Sequence, residues 1–202
     1  MRKINVKERW KKYVARKSRM ALAFDMLFFV LLILLLFPVS RRWITTTVTR
    51  YTMFPPREMG DVYYVGSAVY DWMLVGLDGD TLKMSTQKGQ ILFVNFWATW
   101  CPPCVAEFPA IQRLYDSFGD KVKFILVSDE PSGIVARFME ENEYRMPVYR
   151  SIGAVPSDLG STALPTTFIV TKDGRMAVRK VGSARWDALK VRRLLRDLLG
   201  DR

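Results

Sequence analysis

Ile91-Leu92-Phe93-Val94-Asn95-Phe96-Trp97-Ala98-Thr99-Trp100-Cys101-Pro102-Pro103-Cys104 is the stretch whose reading decides the fold. Its first six residues are almost continuously apolar, the pattern of a central strand buried on both faces. Beyond the cysteines, Val105, Phe108, Ile111 and Tyr115 or Phe118 recur at helical spacing, which predicts a helix from Cys101 to about Phe118. A strand that hands over to a helix at this point sets Cys101 at the helix N-terminus. Unpaired backbone N–H groups and the helix dipole there favour a thiolate over a thiol. The thiolate is the attacking species in disulfide exchange. Cys104 lies one turn along the same helix and can reach back to resolve a mixed disulfide. Pro102 and Pro103 fall at first helical positions, whose N–H groups lack partners in any case, and they stiffen the loop between the sulfurs.

Three other uses of the pair compete with redox chemistry. A static disulfide closing so small a loop removes little unfolded-state entropy and staples poorly. A zinc site needs about four ligands, whereas the chain holds two Cys and no His. Two idle buried thiols are the third use. A Cys-x-x-Cys beside a strand–helix pattern reads first as redox-active, and the chemistry then calls for no cofactor and no metal.

Outward from this centre the pattern continues as an α/β chain. Trp72–Val75 and Thr81–Met84 flank Gly76-Leu77-Asp78-Gly79-Asp80 as a hairpin around an Asp-Gly turn. Lys121–Val127 reads as a strand, and Ser132 as the cap of a helix running to about Glu143 with Ile134, Val135, Phe138 and Met139 inward. Thr166–Val170, the turn Lys172–Arg175 and Met176–Val181 form a second hairpin. A last helix near Trp186–Leu199 turns Ala188, Val191, Leu194, Leu195 and Leu198 to one side. The expected architecture is a mixed β-sheet flanked by helices over residues 61–202, with an N-terminal hairpin.

The N-terminal third is different in kind. Of the net charge of +11, residues 1–20 supply nine basic residues against one acid, Glu8, whereas residues 61–202 carry eighteen basic and seventeen acidic ones. The folded part is nearly neutral, which argues against a nucleic-acid partner. Ala21 to Phe37 is a seventeen-residue apolar run broken only by Asp25. With Met20, Pro38 and Val39 it approaches the roughly 20 residues that a hydrocarbon layer of about 30 Å requires. Residues 21–39 are therefore expected to form one N-terminal transmembrane helix. By the positive-inside rule, residues 1–20 are a cytoplasmic tail and everything after about Ser40 lies outside. The weak match of Pro38-Val39-Ser40-Arg41-Arg42 to a cleavage site favours an uncleaved anchor. Residues 40–60, rich in Thr with Pro55-Pro56 and Gly60, read as a linker whose conformation the composition leaves open.

The segment Val94–Cys104, followed by Glu107-Phe108-Pro109, resembles the active-site segment of the thioredoxin superfamily, and more narrowly its membrane-tethered TlpA/ResA branch. Leu164-Pro165-Thr166-Thr167-Phe168-Ile169-Val170 and Lys172-Asp173-Gly174-Arg175 are similar to the segment that carries a cis-proline facing the disulfide in those proteins. The resemblance covers roughly residues 70–200. It implies a thioredoxin-like fold with an extra strand and helix before Pro165, Cys101 as the exposed nucleophile, Cys104 as the buried resolving cysteine and Leu164-Pro165 as the substrate-side cis bond. Trp100, Pro102 and Pro103 surround the sulfurs, and Pro109 sits where thioredoxins kink this helix. Where thioredoxin keeps a buried acid on the strand, this chain has Asn95. A base for the Cys104 thiol must then come from elsewhere, and Glu107, one turn beyond Cys104, is the candidate, though a Glu on a helix is more often solvated.

The resemblance also implies partners: protein thiols and disulfides as substrates, apo-cytochrome c among them, a membrane electron donor, and a periplasmic or other extracytoplasmic location on the cytoplasmic (inner) membrane. Reduction is the expected direction, with an oxidase as a variant set by potential. A non-catalytic thioredoxin-fold binding module or copper chaperone is the alternative. The missing His weighs against copper. A peroxidase of the related peroxiredoxin group lacks its single-cysteine pocket here.

Overall fold

The computed structural model describes residues 19–36 and 38–200. Nearly all of the basic tail read over residues 1–20 lies outside the described residues. The chain divides into two units, Met1–Ile44 and Thr45–Arg202. In the first, the apolar run folds as helix α1 (Arg19–Leu36). Its 18 residues, which include Arg19 and Asp25, rise about 27 Å at about 1.5 Å each. Among the described residues no helix is long and apolar enough to cross a membrane.

Helix α2 (Pro38–Thr52) takes up most of what reads as a linker over residues 40–60. Proline at its first position is pre-set for a helix, and the Thr52 hydroxyl donates back to Val48 O at 3.0 Å. The rest of that linker is tied down as well. Arg185 N donates to Phe54 O at 3.1 Å, Met59 N to Ala177 O at 2.9 Å, and Met176 N to Tyr63 O at 2.8 Å. The ordered strap therefore starts near Phe54, earlier than residue 61, held by backbone bonds to the loop before the last helix and to the strand Met176–Val181, which need no particular side chains.

The second unit continues with α3 (Ser67–Asp71), β1 (Met73–Gly76), β2 (Thr81–Lys83), β3 (Ile91–Phe96), α4 (Pro102–Phe118), β4 (Val122–Val127), α5 (Ser132–Glu141), β5 (Val148–Ile152), β6 (Thr166–Val170), β7 (Met176–Val181) and α6 (Leu189–Leu199). The strands form a seven-stranded sheet in the order β2-β1-β5-β4-β3-β6-β7. Strand β3 runs parallel to β4 and antiparallel to β6, and β5 runs parallel to β4 and antiparallel to β1. The thioredoxin-like mixed sheet flanked by helices is present, and the β1–β2 hairpin stands where the sequence places it, with Leu74 opposite Leu82.

The continuous apolar run of β3 has a direct cause. Ile91 and Phe93 join Phe124, Leu126 and Ile169 beneath α4 and α6, while Leu92 and Val94 join Ile125, Val127, Phe168 and Trp72 on the opposite face. A strand covered on both sides cannot alternate polar with apolar.

Three helices differ in detail from their sequence reading. In α4 the buried stripe is Cys104, Phe108, Ile111, Leu114 and Phe118, with Val105 only half-buried. In α5 the N-cap is Pro131, with no side-chain cap, and Ile134 is exposed while Val135 and Met139 are buried. Helix α6 begins three residues after Trp186, which stays in the preceding loop as a buried core residue.

Candidate active site

The active-site loop follows directly from the carboxyl end of β3. Cys101 is the N-cap of α4, and Pro102 is its first residue. Two successive prolines have no N–H to give, so Cys104 N is the first donor the helix offers. It points at Cys101 Sγ, 3.3 Å away. Cys101 and Cys104 are joined as a disulfide, with Cα atoms 5.3 Å apart. After reduction the same N–H, at a helix N-terminus, is placed to stabilise a thiolate on Cys101.

The two sulfurs are less unequal than expected. Cys104 is wholly buried, but Cys101 is itself only 4 % exposed, because its side chain folds over the first turn it caps. The exposed group is Trp100, at 61 %. A partner therefore meets a small window on Cys101 beside a large aromatic side chain.

The Leu164–Pro165 peptide bond is cis. Register places it: Thr166 pairs with Phe96, so Leu164 and Pro165 stand at the end of β3 where the cysteine loop starts. Pro165 O accepts from Gly182 N at 2.8 Å, and Leu164 is partly exposed.

Glu107, the candidate base, differs from most Glu residues on helices. It is not solvated but fully buried. Its Oε2 accepts from Ala184 N and from Trp186 Nε1, each at 2.9 Å, and its Oε1 accepts from Asn95 Nδ2 at 2.9 Å. Asn95 also donates to Thr167 Oγ1 at 2.8 Å, and its own Oδ1 has no partner. Burial pushes the Glu107 carboxyl up to about 7, against the hydrogen bonds from Trp186, Ala184 and Asn95 and the charge of Lys180, all of which pull it down. A carboxyl poised near neutral pH, one turn from Cys104, has the acidity a proton-transfer group needs.

Asn95 and Glu107 thus form one unit across β3 and α4. Thr167, Ala184 and Trp186, which complete it, carry no local signal in the sequence, since they come from positions more than seventy residues away. Glu107 had a signal that could have exposed it: it lies in line with Cys104 and Ile111 on the buried stripe. Among the described residues no group of three or more His, Cys, Asp or Glu side chains is arranged to hold a metal ion.

The AhpC/TSA family model matches residues 65–179, more than half of the chain. The chain belongs to the AhpC/TSA family. Within it, the sequence is 31% identical over 121 residues to the thiol-disulfide oxidoreductase ResA of Bacillus cereus, a match covering 58% of this chain and 70% of that protein. The ResA of Oceanobacillus iheyensis is 32% identical over 136 residues, covering 64% and 71%. Among solved structures, a thiol:disulfide interchange protein DsbE of Chlorobium tepidum superposes with a TM-score of 0.55 at 21% identity, covering 73% of this chain and 99% of that one. A secreted thiol-disulfide isomerase of Corynebacterium glutamicum gives 0.51 at 20%, covering 70% and 93%. The structures share the fold. The ResA relatives, together with the paired cysteines, make this family member a thioredoxin-like thiol–disulfide oxidoreductase.

Proposed function

We propose that the protein is a membrane-tethered, extracytoplasmic reductase of protein disulfides that works through the Cys101–Cys104 centre. The observation that carries this reading is the bond between these two sulfurs at the mouth of α4, with Cys104 N directed at Cys101 Sγ. In the reduced protein, the Cys101 thiolate attacks one sulfur of a substrate disulfide. The substrate S–S bond breaks, its other sulfur leaves as a thiolate and takes a proton, and a mixed disulfide forms. Glu107 takes the Cys104 proton. Cys104 then attacks Cys101 Sγ, releasing the second substrate thiol and restoring the disulfide. Two electrons pass from protein to substrate, and a membrane donor must return them.

Tethering is supported by the seventeen-residue apolar run after a strongly basic tail, and orientation by the positive-inside rule. Trp100, exposed next to Cys101 in the chain, and Leu164, partly exposed at the end of β3, supply an apolar contact for an extended substrate segment. By family resemblance, apo-cytochrome c belongs to the substrate class. Insulin reduction compared between the native chain and Cys101→Ser tests the chemistry: equal activity refutes it. The reduction potential tests the direction, since a value near about −270 mV or below fits a reductase and one near about −120 mV an oxidase.

A further inference from the structure

Glu130 stands apart from the disulfide and from the Asn95–Glu107 unit. It follows β4 in the loop Ser128-Asp129-Glu130. A Glu in a loop ordinarily points into water. Here both carboxylate oxygens are spent on one residue of another loop: Oε2 accepts from Thr99 N at 2.6 Å, and Oε1 accepts from Thr99 Oγ1 at 2.7 Å. Ser128 steadies the side chain, its Oγ donating to Glu130 Oε2 at 3.3 Å and accepting from Glu130 N at 3.4 Å.

Thr99 lies two residues before Cys101, inside the turn that Cys101 N closes onto Ala98 O at 3.2 Å. Upstream, Trp97 N is fixed to Val127 O at 3.0 Å; downstream, Val105 N is fixed to Cys101 O at 3.1 Å. Both ends of the turn are thus held by the sheet and the helix, and its middle is held by Glu130. Hydrogen bonds to a charged acceptor are roughly twice as strong as neutral ones, so a carboxylate is a firm anchor for the turn. Trp100, the next residue, is 61 % exposed. Attack on a disulfide runs along the line of its S–S bond, and a misplacement of about 1 Å costs about a hundredfold in rate.

We propose that Glu130 is a positioning residue for disulfide exchange: acting through Thr99, it fixes the Ala98–Cys101 turn so that Trp100 and the Cys101 sulfur meet a partner's disulfide in one geometry. The inference rests on the exchange reading above. The test measures kcat/KM for insulin reduction, the rate of Cys101 alkylation by iodoacetamide after reduction, and Tm, in the full chain. The proteins are the native chain, Cys101→Ser, Glu130→Ala, Glu130→Gln, Thr99→Val and the Glu130→Ala/Thr99→Val double variant. Glu130→Ala is expected to lose about tenfold or more of kcat/KM with insulin, while iodoacetamide, which needs no docking, labels within about twofold of the native rate. In Glu130→Gln the carboxamide oxygen can take Thr99 N and its N–H can meet Thr99 Oγ1, so most of the activity returns. The double variant is no slower than Glu130→Ala alone, because both changes cut one connection.

Native insulin kinetics in folded Glu130→Ala overturns the proposal. So does additive loss in the double variant, or an equal loss with iodoacetamide, which would assign Glu130 to sulfur reactivity rather than geometry. Should Glu130→Ala fail to fold, Thr99→Val decides: a threefold or greater loss with insulin at unchanged alkylation supports positioning, and native kinetics overturns it. A native chain no faster than Cys101→Ser overturns the exchange reading itself, an outcome distinct from all of these.

Discussion

Replacing Glu107 by Gln perturbs the buried acid with almost no change of shape. The ordinary value for the group is 4.5, and burial raises it to about 7 in the folded protein. Between those values the unfolded chain releases a proton that the folded chain keeps. The stability contributed is therefore fully present below about pH 4.5 and is lost as pH rises through about 7. The slope is about 1.4 kcal/mol per pH unit, so the interval removes about 3 kcal/mol. A carboxamide has no proton to lose. Its oxygen can stand before Ala184 N and Trp186 Nε1, which leaves its NH2 facing Asn95 Nδ2, donor against donor. Asn95 can turn its amide over, because its Oδ1 has no partner at present; turned, that oxygen accepts from the new amide and from Thr167 Oγ1. The variant should fold. Urea unfolding of both oxidised proteins from pH 4 to pH 8 should show the native chain losing about 3 kcal/mol relative to Glu107→Gln. Parallel stability curves would refute the buried, raised carboxyl. In insulin reduction the variant should lose the acidic limb of the pH–rate profile and resolve mixed disulfides about a hundredfold more slowly, the lower range for a positioned proton acceptor.

Cys104→Ser should leave the attack by Cys101 intact but stop resolution, so reduced variant mixed with a substrate disulfide should accumulate a covalent complex on non-reducing gels. Trp186→Phe keeps an aromatic ring against Phe93, whose centroid is 5.0 Å away, but removes the indole N–H from Glu107 Oε2. That bond pulls the carboxyl down, so the inflection of stability against pH should move above about 7, and stability at pH 8 should fall by about 1–3 kcal/mol. Ile111→Ala opens a cavity under α4, where Ile111 is wholly buried; urea unfolding should report a loss of about 2–5 kcal/mol with unchanged slope.

The strand–cysteine–helix junction was legible because its determinants are local: a doubly buried strand must be continuously apolar, and Pro102 and Pro103 sit where N–H groups are already spare. The hairpins were legible for the same reason, with Gly79 and Gly174 at positive φ in their turns. Glu107 was legible as a candidate base, but its burial was not, since its three donors come from β3 and from the loop before α6, 12 to 79 residues away. Helix α2 escaped because Thr and Val have modest helix propensity, and propensity is a weak guide. The clamp from Glu130 to Thr99 spans 31 residues, and nothing in Ser-Asp-Glu announces it.

Moving the acid from strand to helix has a physical consequence. On β3, Asn95 reaches Thr167 on the sheet and Glu107 itself on α4. On α4, Glu107 faces three donors, two of them supplied by Ala184 and Trp186. Arg185, between those two, donates its own N–H to Phe54 O in the strap, so the loop is held from both sides. Fixed donors stabilise an anion without having to reorganise as it forms. Burial alone would hold the proton too tightly to act as an acceptor at neutral pH; fixed donors alone would leave the group ionised throughout. The opposition of the two brings the carboxyl to about 7, the acidity that the proposed proton transfer from Cys104 calls for.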